Sequence, residues 1–145
     1  TAPADECGAS SKAMIEAYTE AGLKPEDITY INAHGTSTHL NDMLETKAVK
    51  IALGEEQARK VKINSTKSMT GHMLGGTGAV EAAVCALSIR DSFIHQTIGY
   101  TTPDPECDLD YCVDGPVEMP VNAALSNSLG FGGHNATLCF KKCTD

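Results

Sequence analysis

The sequence contains no apolar run approaching the roughly 20 residues that a bilayer-crossing helix needs. Its first residues, TAPADECGASSK, also lack a basic stretch followed by an apolar one. Neither a membrane span nor an export leader is expected, and the protein reads as soluble and cytoplasmic. Basic residues are scarce: 11 Lys and Arg stand against 19 Asp and Glu, giving a formal charge of -8 and a pI near 5.0. A grip on nucleic acid or an anionic membrane takes clustered Lys and Arg to neutralise phosphates, so neither is an expected partner. The cysteines, Cys7, Cys85, Cys107, Cys112, Cys139 and Cys143, include no CxxC pair and no well-placed histidine, which argues against zinc or any other metal site. Their irregular spacing fits free thiols better than a disulfide framework. Internal repeats and low-complexity tracts are missing too. What remains is a chain of 145 residues suited to one domain with one hydrophobic core.

Apolar residues at Ala13, Met14, Ala17, Tyr18 and Ala21 recur at helical spacing, predicting a helix over 10–21 that Gly22 stops. After the turn-like KPED, the run 28–33 predicts a strand that delivers the polar loop HGTSTHLND. Met43, Leu44, Ala48, Ile51 and Ala52 mark a second helix from Asp42 to about Gly54, with Asp42 and Glu45 in its first turn. A strand over 61–64 follows, then the loop STKSMTGHMLGGTG. The next helix, about 78–92, has so little polar face that it is expected to be buried on most sides. The Pro- and Asp-rich stretch 97–120 reads as an extended surface connection, and strands at 123–126 and 136–140 flank the turn LGFGGHN. This order predicts an α/β arrangement with helices packed on a mixed sheet. Ligands collect outside the carboxyl ends of strands in such sheets, which directs attention to the loops.

Two of these loops each set one histidine among small residues: Asn32-Ala33-His34-Gly35-Thr36-Ser37-Thr38, and Lys67-Ser68-Met69-Thr70-Gly71-His72 leading into Gly75-Gly76-Thr77-Gly78. Small neighbours let a substrate come close to the backbone, and a nearby imidazole can donate to a carbonyl that gains negative charge. A single loop histidine is more often a structural hydrogen-bonding residue. Two that converge would make an oxyanion site. His72 lies just before a long helix, whose N-terminal partial charge favours neutral imidazole.

Three motifs, NAHGTST, STKSMTGH followed by a GxxG, and NSLGFGGHNA, occur in this order, and together they resemble the elongating β-ketoacyl-acyl-carrier-protein synthases of fatty-acid and polyketide pathways. The similarity runs over essentially the whole chain, which resembles the C-terminal half of such an enzyme. Loading-type synthases resemble a Cys-His-Asn pattern instead, and the second histidine here points away from them. The resemblance implies a thiolase-like fold, with helices on a mixed sheet of the five-stranded type. It also implies a decarboxylative condensation of malonyl-acyl-carrier-protein with an acyl-enzyme. No resident cofactor is implied, because the substrates ride on the phosphopantetheine of acyl carrier protein. The nucleophilic Cys would lie in the N-terminal half of the enzyme, since none of the six cysteines here sits in a comparable motif. That half, acyl carrier protein and a second copy of the whole enzyme are the implied partners.

By the same resemblance His34 and His72 hold the malonyl thioester carbonyl, and Lys67 has an electrostatic and structural role. Glu45 is its expected partner, or else a solvated helix residue. Phe131 matches a gating residue, or else plugs a hairpin core, and its backbone N–H matches an oxyanion donor. Thr36 and Thr38 match hydroxyls that bind the pantetheine arm, while Ser37 is structural. His39, His134 and Leu129 stand where related sequences often carry Pro, Thr and an aromatic residue; the first two are expected to be structural or surface residues. A chain-length-factor-like partner subunit or a module that only binds acyl carrier protein are the alternatives, and retention of His34, His72 and Lys67 weighs against the former.

Overall fold

A computed structural model describes the backbone of residues 3–130 and 133–144, with side chains from residue 7 onward. Helix α1 (Pro3–Glu20) extends earlier than its apolar periodicity suggested. It stops at Gly22, whose φ of +74 lets Leu23 N–H reach Tyr18 O (2.9 Å) and Gly22 N–H reach Thr19 O (2.9 Å). A left-handed residue just past a helix end satisfies the last carbonyls in this way. Strand β1 (Tyr30–Asn32) follows a single 3-10 turn, and α2 (His39–Leu53) begins after Thr38, which is extended. Gly54 at φ +81 breaks the chain before a short helix α3 (Glu55–Lys60), absent from the sequence prediction although EEQARK puts acids first and bases last. Then come β2 (Lys62–Asn64), the one-turn α4 (Lys67–Thr70), α5 (Thr77–Asp91), β3 (Phe93–Ile94), β4 (Val117–Glu118), β5 (Ala123–Gly130) and β6 (His134–Lys141).

The sheet order is β2-β1-β5-β6, with β1 parallel to β2 and β5, and β6 antiparallel to β5. Alternation along the strands divides its two faces. Ile31, Ala33, Ile63, Ala123 and Leu125 pack against Met14 and Tyr18 of α1 and Ala48, Val49 and Ala52 of α2. Tyr30 and Ala124 face the other way, toward Cys85 of α5, Ile94 and Val121. The expected five-stranded sheet is corrected to four strands plus a separate β3–β4 ribbon among the described residues. Beyond β2 runs the connector, whose Asp110 O accepts Ile63 N–H (2.9 Å). Pro103 and Pro105 lie upstream of that contact, and the connector beyond β2 forms no continuous fifth strand among the described residues. Ion pairs hold it down instead: Lys50–Asp108 at 2.6 Å, Arg59–Asp108 at 3.0 Å and Lys62–Asp110 at 2.5 Å.

Helix α5, expected to be buried on most sides, is covered on one side by the described residues. Within this chain it buries one stripe, Thr77, Glu81, Cys85 and Ser88, spaced as a helix face. Val80 and Leu87, 37% and 46% exposed, look outward together with Ala79, Ala83 and Ala86. The inner stripe is mostly polar because the sheet beneath it is: Asn32, Asn64 and Ser126 share the face of Tyr30. The apolar periphery meets solvent because nothing among the described residues covers it.

Candidate active site

The carboxyl ends of the parallel strands β1, β2 and β5 point the same way and release three loops side by side. The β1 loop carries His34, nearly buried. Glu45, in the second turn of α2, accepts His34 N–H at 2.8 Å on Oε1 and Gly35 N–H at 3.0 Å on Oε2. One carboxylate thus fixes two successive peptides. Asn127 Nδ2, from the end of β5, lies 3.5 Å from Glu45 Oε1, and Asn127 Oδ1 accepts the Thr137 hydroxyl at 2.9 Å. Burial pushes the Glu45 carboxyl up from its ordinary value, opposed by the bonds from Gly35 and His34.

The expected pairing of Glu45 with Lys67 is therefore corrected. Lys67 Nζ meets Glu81 Oε1 at 2.5 Å, and both side chains are sealed from solvent. Burial raises the Glu81 carboxyl while Lys67 holds it down. Glu81 was missed from sequence, yet a signal existed: it is the one acid among the apolar residues AVEAAVCA. A buried charge in such a helix needs a partner.

His34 and His72 come together, with ring centroids 5.6 Å apart and planes at 86°. The His34 imidazolium is disfavoured by burial, by Lys67 and by His72, so its pKa is lowered to about 4 and the ring is neutral at pH 7. His72 follows α4 and precedes the turn into α5. Leu74 N–H donates to its Nδ1 at 3.0 Å, with the Thr77 hydroxyl 3.4 Å from the same atom. With Nδ1 accepting, the neutral ring carries its proton on Nε2.

Both rings open on a cleft of about 830 Å³, whose other walls include Thr36, Thr38, Leu40, Leu44 and Leu129. Thr36 and Thr38 place their hydroxyls 3.0 Å apart. Ser37 between them has a φ of +65, an uncommon backbone for a residue with a side chain. His39 is a surface residue, its Nδ1 3.3 Å from Asp104 of the connector. Phe131 lies outside the described residues. All six cysteines are free thiols, and burial raises Cys85, on the inner stripe of α5, to about 12.

Behind Lys67 runs a network the sequence did not announce. Tyr30 donates to Asn64 Oδ1 (2.7 Å), Asn32 Nδ2 donates to Tyr30 Oη (3.0 Å) and to Thr66 Oγ1 (2.6 Å), and Thr66 meets His95 Nε2 (2.9 Å). Its donors are satisfied while Asn32 Oδ1 is left without a partner among the described residues, and linked buried polar groups of this kind rigidify a core. This one anchors Thr66, the residue before Lys67.

Solved structures of ketosynthases share this architecture, so the fold is thiolase-like. A β-ketoacyl synthase from Burkholderia phymatum superposes with a TM-score of 0.88 at 33% identity, covering 95% of this chain and 33% of that one. A type II polyketide ketosynthase, solved in complex with its acyl carrier protein, gives 0.86 at 40% identity, over 94% of this chain and 34% of that one. Residues 1–101 match the β-ketoacyl synthase C-terminal domain, and the chain belongs to that family. It is 54% identical over 142 residues to 3-oxoacyl-[acyl-carrier-protein] synthase 2 of Staphylococcus aureus and 51% identical over 142 residues to that of Synechocystis. In each case 98% of this chain aligns with 34% of the relative, so the chain spans about a third of the length of these curated relatives. No described helix is long and apolar enough to cross a membrane.

Proposed function

We propose that this chain is the C-terminal part of a cytoplasmic 3-oxoacyl-acyl-carrier-protein synthase of fatty-acid biosynthesis and supplies the groups that drive decarboxylation. The meeting of His34 and His72 at one cleft carries this reading. The malonyl thioester enters along Thr36 and Thr38, which hydrogen-bond its pantetheine arm, and its carbonyl oxygen receives two imidazole N–H donors. As the bond to the carboxylate breaks, carbon dioxide leaves and the electron pair passes into the enolate, whose oxyanion the two donors stabilise. The enolate carbon then attacks the acyl thioester on a cysteine from the rest of the enzyme, forming the new carbon–carbon bond and releasing the thiolate. Neutral rings suit this chemistry because they donate without surrendering a proton to the enolate. The buried Lys67–Glu81 pair lies behind, its cation adding to burial in keeping His34 uncharged.

The outer face of α5, with Val80 and Leu87, fits against the remaining two thirds of the enzyme, which holds the nucleophile. Acyl carrier protein is the partner that delivers both substrates, and the whole enzyme dimerises, with Phe131 as its gate. The deciding measurement is release of carbon dioxide from malonyl-acyl-carrier-protein by the whole synthase. His34→Ala and His72→Ala are each expected to slow it about a hundredfold, the usual cost of losing one such donor. Wild-type rates in both would defeat the assignment.

A further inference from the structure

The β1–β2 ladder makes its last backbone bond between Ala33 N–H and Asn64 O, at 2.9 Å. Past that point the two chains lead to different duties, one to His34 and the other to Lys67 and His72, yet they stay together. Ser65 Oγ donates to Gly35 O at 2.6 Å, so a side-chain bond takes over where the ladder ends. A Cβ on Gly35 would lie 2.8 Å from both Cβ and Oγ of Ser65, and Gly35 has a φ of +45. Only glycine tolerates both the conformation and the approach.

Ser65 is itself restrained on other sides. Its N–H donates to Thr97 Oγ1 (3.2 Å), and its carbonyl accepts Ser68 N–H (3.1 Å) and the Ser68 hydroxyl (2.7 Å). Ser68 Oγ in turn accepts Ile98 N–H at 3.1 Å, which ties both residues to the connector. The residue after His34 is consequently gripped from both sides: Glu45 of α2 takes its N–H and Ser65 takes its carbonyl. Of these grips, only that of Ser65 comes from the loop that carries the second histidine.

We propose that Ser65 is a positioning residue, whose hydroxyl holds the His34 loop at the spacing from the Lys67–His72 loop that lets both imidazoles reach one thioester oxygen. Its role is positioning because its hydroxyl is committed to Gly35 O, and it lines the neighbouring cleft of about 640 Å³, which shares Thr36 with the one into which the rings open. The inference rests on the two-histidine reading of the site.

The experiment separates the half-reactions of the whole synthase, which are acyl transfer onto the nucleophile and decarboxylation of malonyl-acyl-carrier-protein. Ser65→Ala is expected to lower kcat for decarboxylation about tenfold, since small misplacements of reacting groups cost up to about a hundredfold. KM and the rate of acyl transfer should stay within about twofold of wild type, on the same principle that only transition-state contacts have been disturbed. Ser65→Thr, which keeps the hydroxyl, should restore most of the loss. Thr97→Val, which removes the acceptor of Ser65 N–H, should give a smaller loss confined to the same half-reaction. Equal loss in both half-reactions, or an unchanged decarboxylation rate in Ser65→Ala, would overturn the proposal. His72→Ala run in parallel keeps the two ideas apart: if it decarboxylates normally, the two-histidine reading fails whatever Ser65 does.

Discussion

Replacing Glu81 by glutamine preserves the shape of the side chain and one oxygen acceptor but removes the charge facing Lys67. At 2.5 Å, with both side chains sealed from solvent, the carboxylate is what makes a buried ammonium tolerable. Breaking such a pair from one side costs about 3–5 kcal/mol, because the remaining charge is stranded in a poor solvent. Removing both charges with similarly sized apolar groups is often neutral, because the desolvation penalty leaves with them. Glu81→Gln should therefore unfold at clearly lower urea than wild type, whereas Lys67→Met/Glu81→Leu should recover much of the difference. The double variant should still be a poor catalyst. Lys67 is among the causes that lower His34 to about 4, so deleting the cation raises that value and moves the acid limb of the decarboxylation profile upward. Urea titrations of the whole synthase and its variants, with pH–rate profiles, read both effects. A Glu81→Gln protein within about 1 kcal/mol of wild type would refute the reasoning, because a loss that small belongs to exposed pairs.

Glu45→Gln leaves one of the His34 and Gly35 N–H groups facing an amide donor, which should cost about 1–3 kcal/mol and slow decarboxylation, as read by calorimetry and turnover. Because burial raises this carboxyl above its ordinary 4.5, the native state holds the proton longer than the unfolded chain does. Its contribution to stability accordingly falls as pH rises from 4.5 through the folded value, and the penalty is complete above that; the glutamine variant should lack this component of the slope. Leu87→Lys, on the bare face of α5, should leave the core of this chain intact but weaken association with the remainder of the enzyme, measurable by mixing separately produced pieces. Asp108→Asn should change stability by less than about 1 kcal/mol in a urea titration, although Lys50 and Arg59 lower that carboxyl to about 2, because solvent screens the cluster.

The sequence carried the helices and the parallel strands well where periodicity was strong, as in α1, and where a glycine with a required left-handed backbone marked an end, as at Gly22 and Gly54. The two histidine loops were legible because small residues crowd around them. Partners in space were harder to read. Glu45 stands in the first turns of α2 and looked like a mate for Lys67, yet Glu81 fills that place, since pairing depends on how α5 crosses the sheet. The apolar surroundings of Glu81 suggested burial without saying against what. Helix α5 read as packed between two layers for a related reason: its composition reflects the surface it is shaped to meet, of which the described residues supply one side. The count of strands failed at the connector, which meets β2 through a backbone bond at Ile63 and is held by ion pairs at Asp108 and Asp110.

The division of the sheet into a greasy side under α1 and α2 and a side under α5 that mixes apolar with buried polar groups makes the strand β1 intolerant of a shift in phase. Inserting or deleting a single residue there would turn Ile31 toward the ionic chamber and drive Asn32 into hydrocarbon. The central strand is thus constrained from above and below at once, so change in this protein should collect at its outer turns and spare the three residues Tyr30–Asn32.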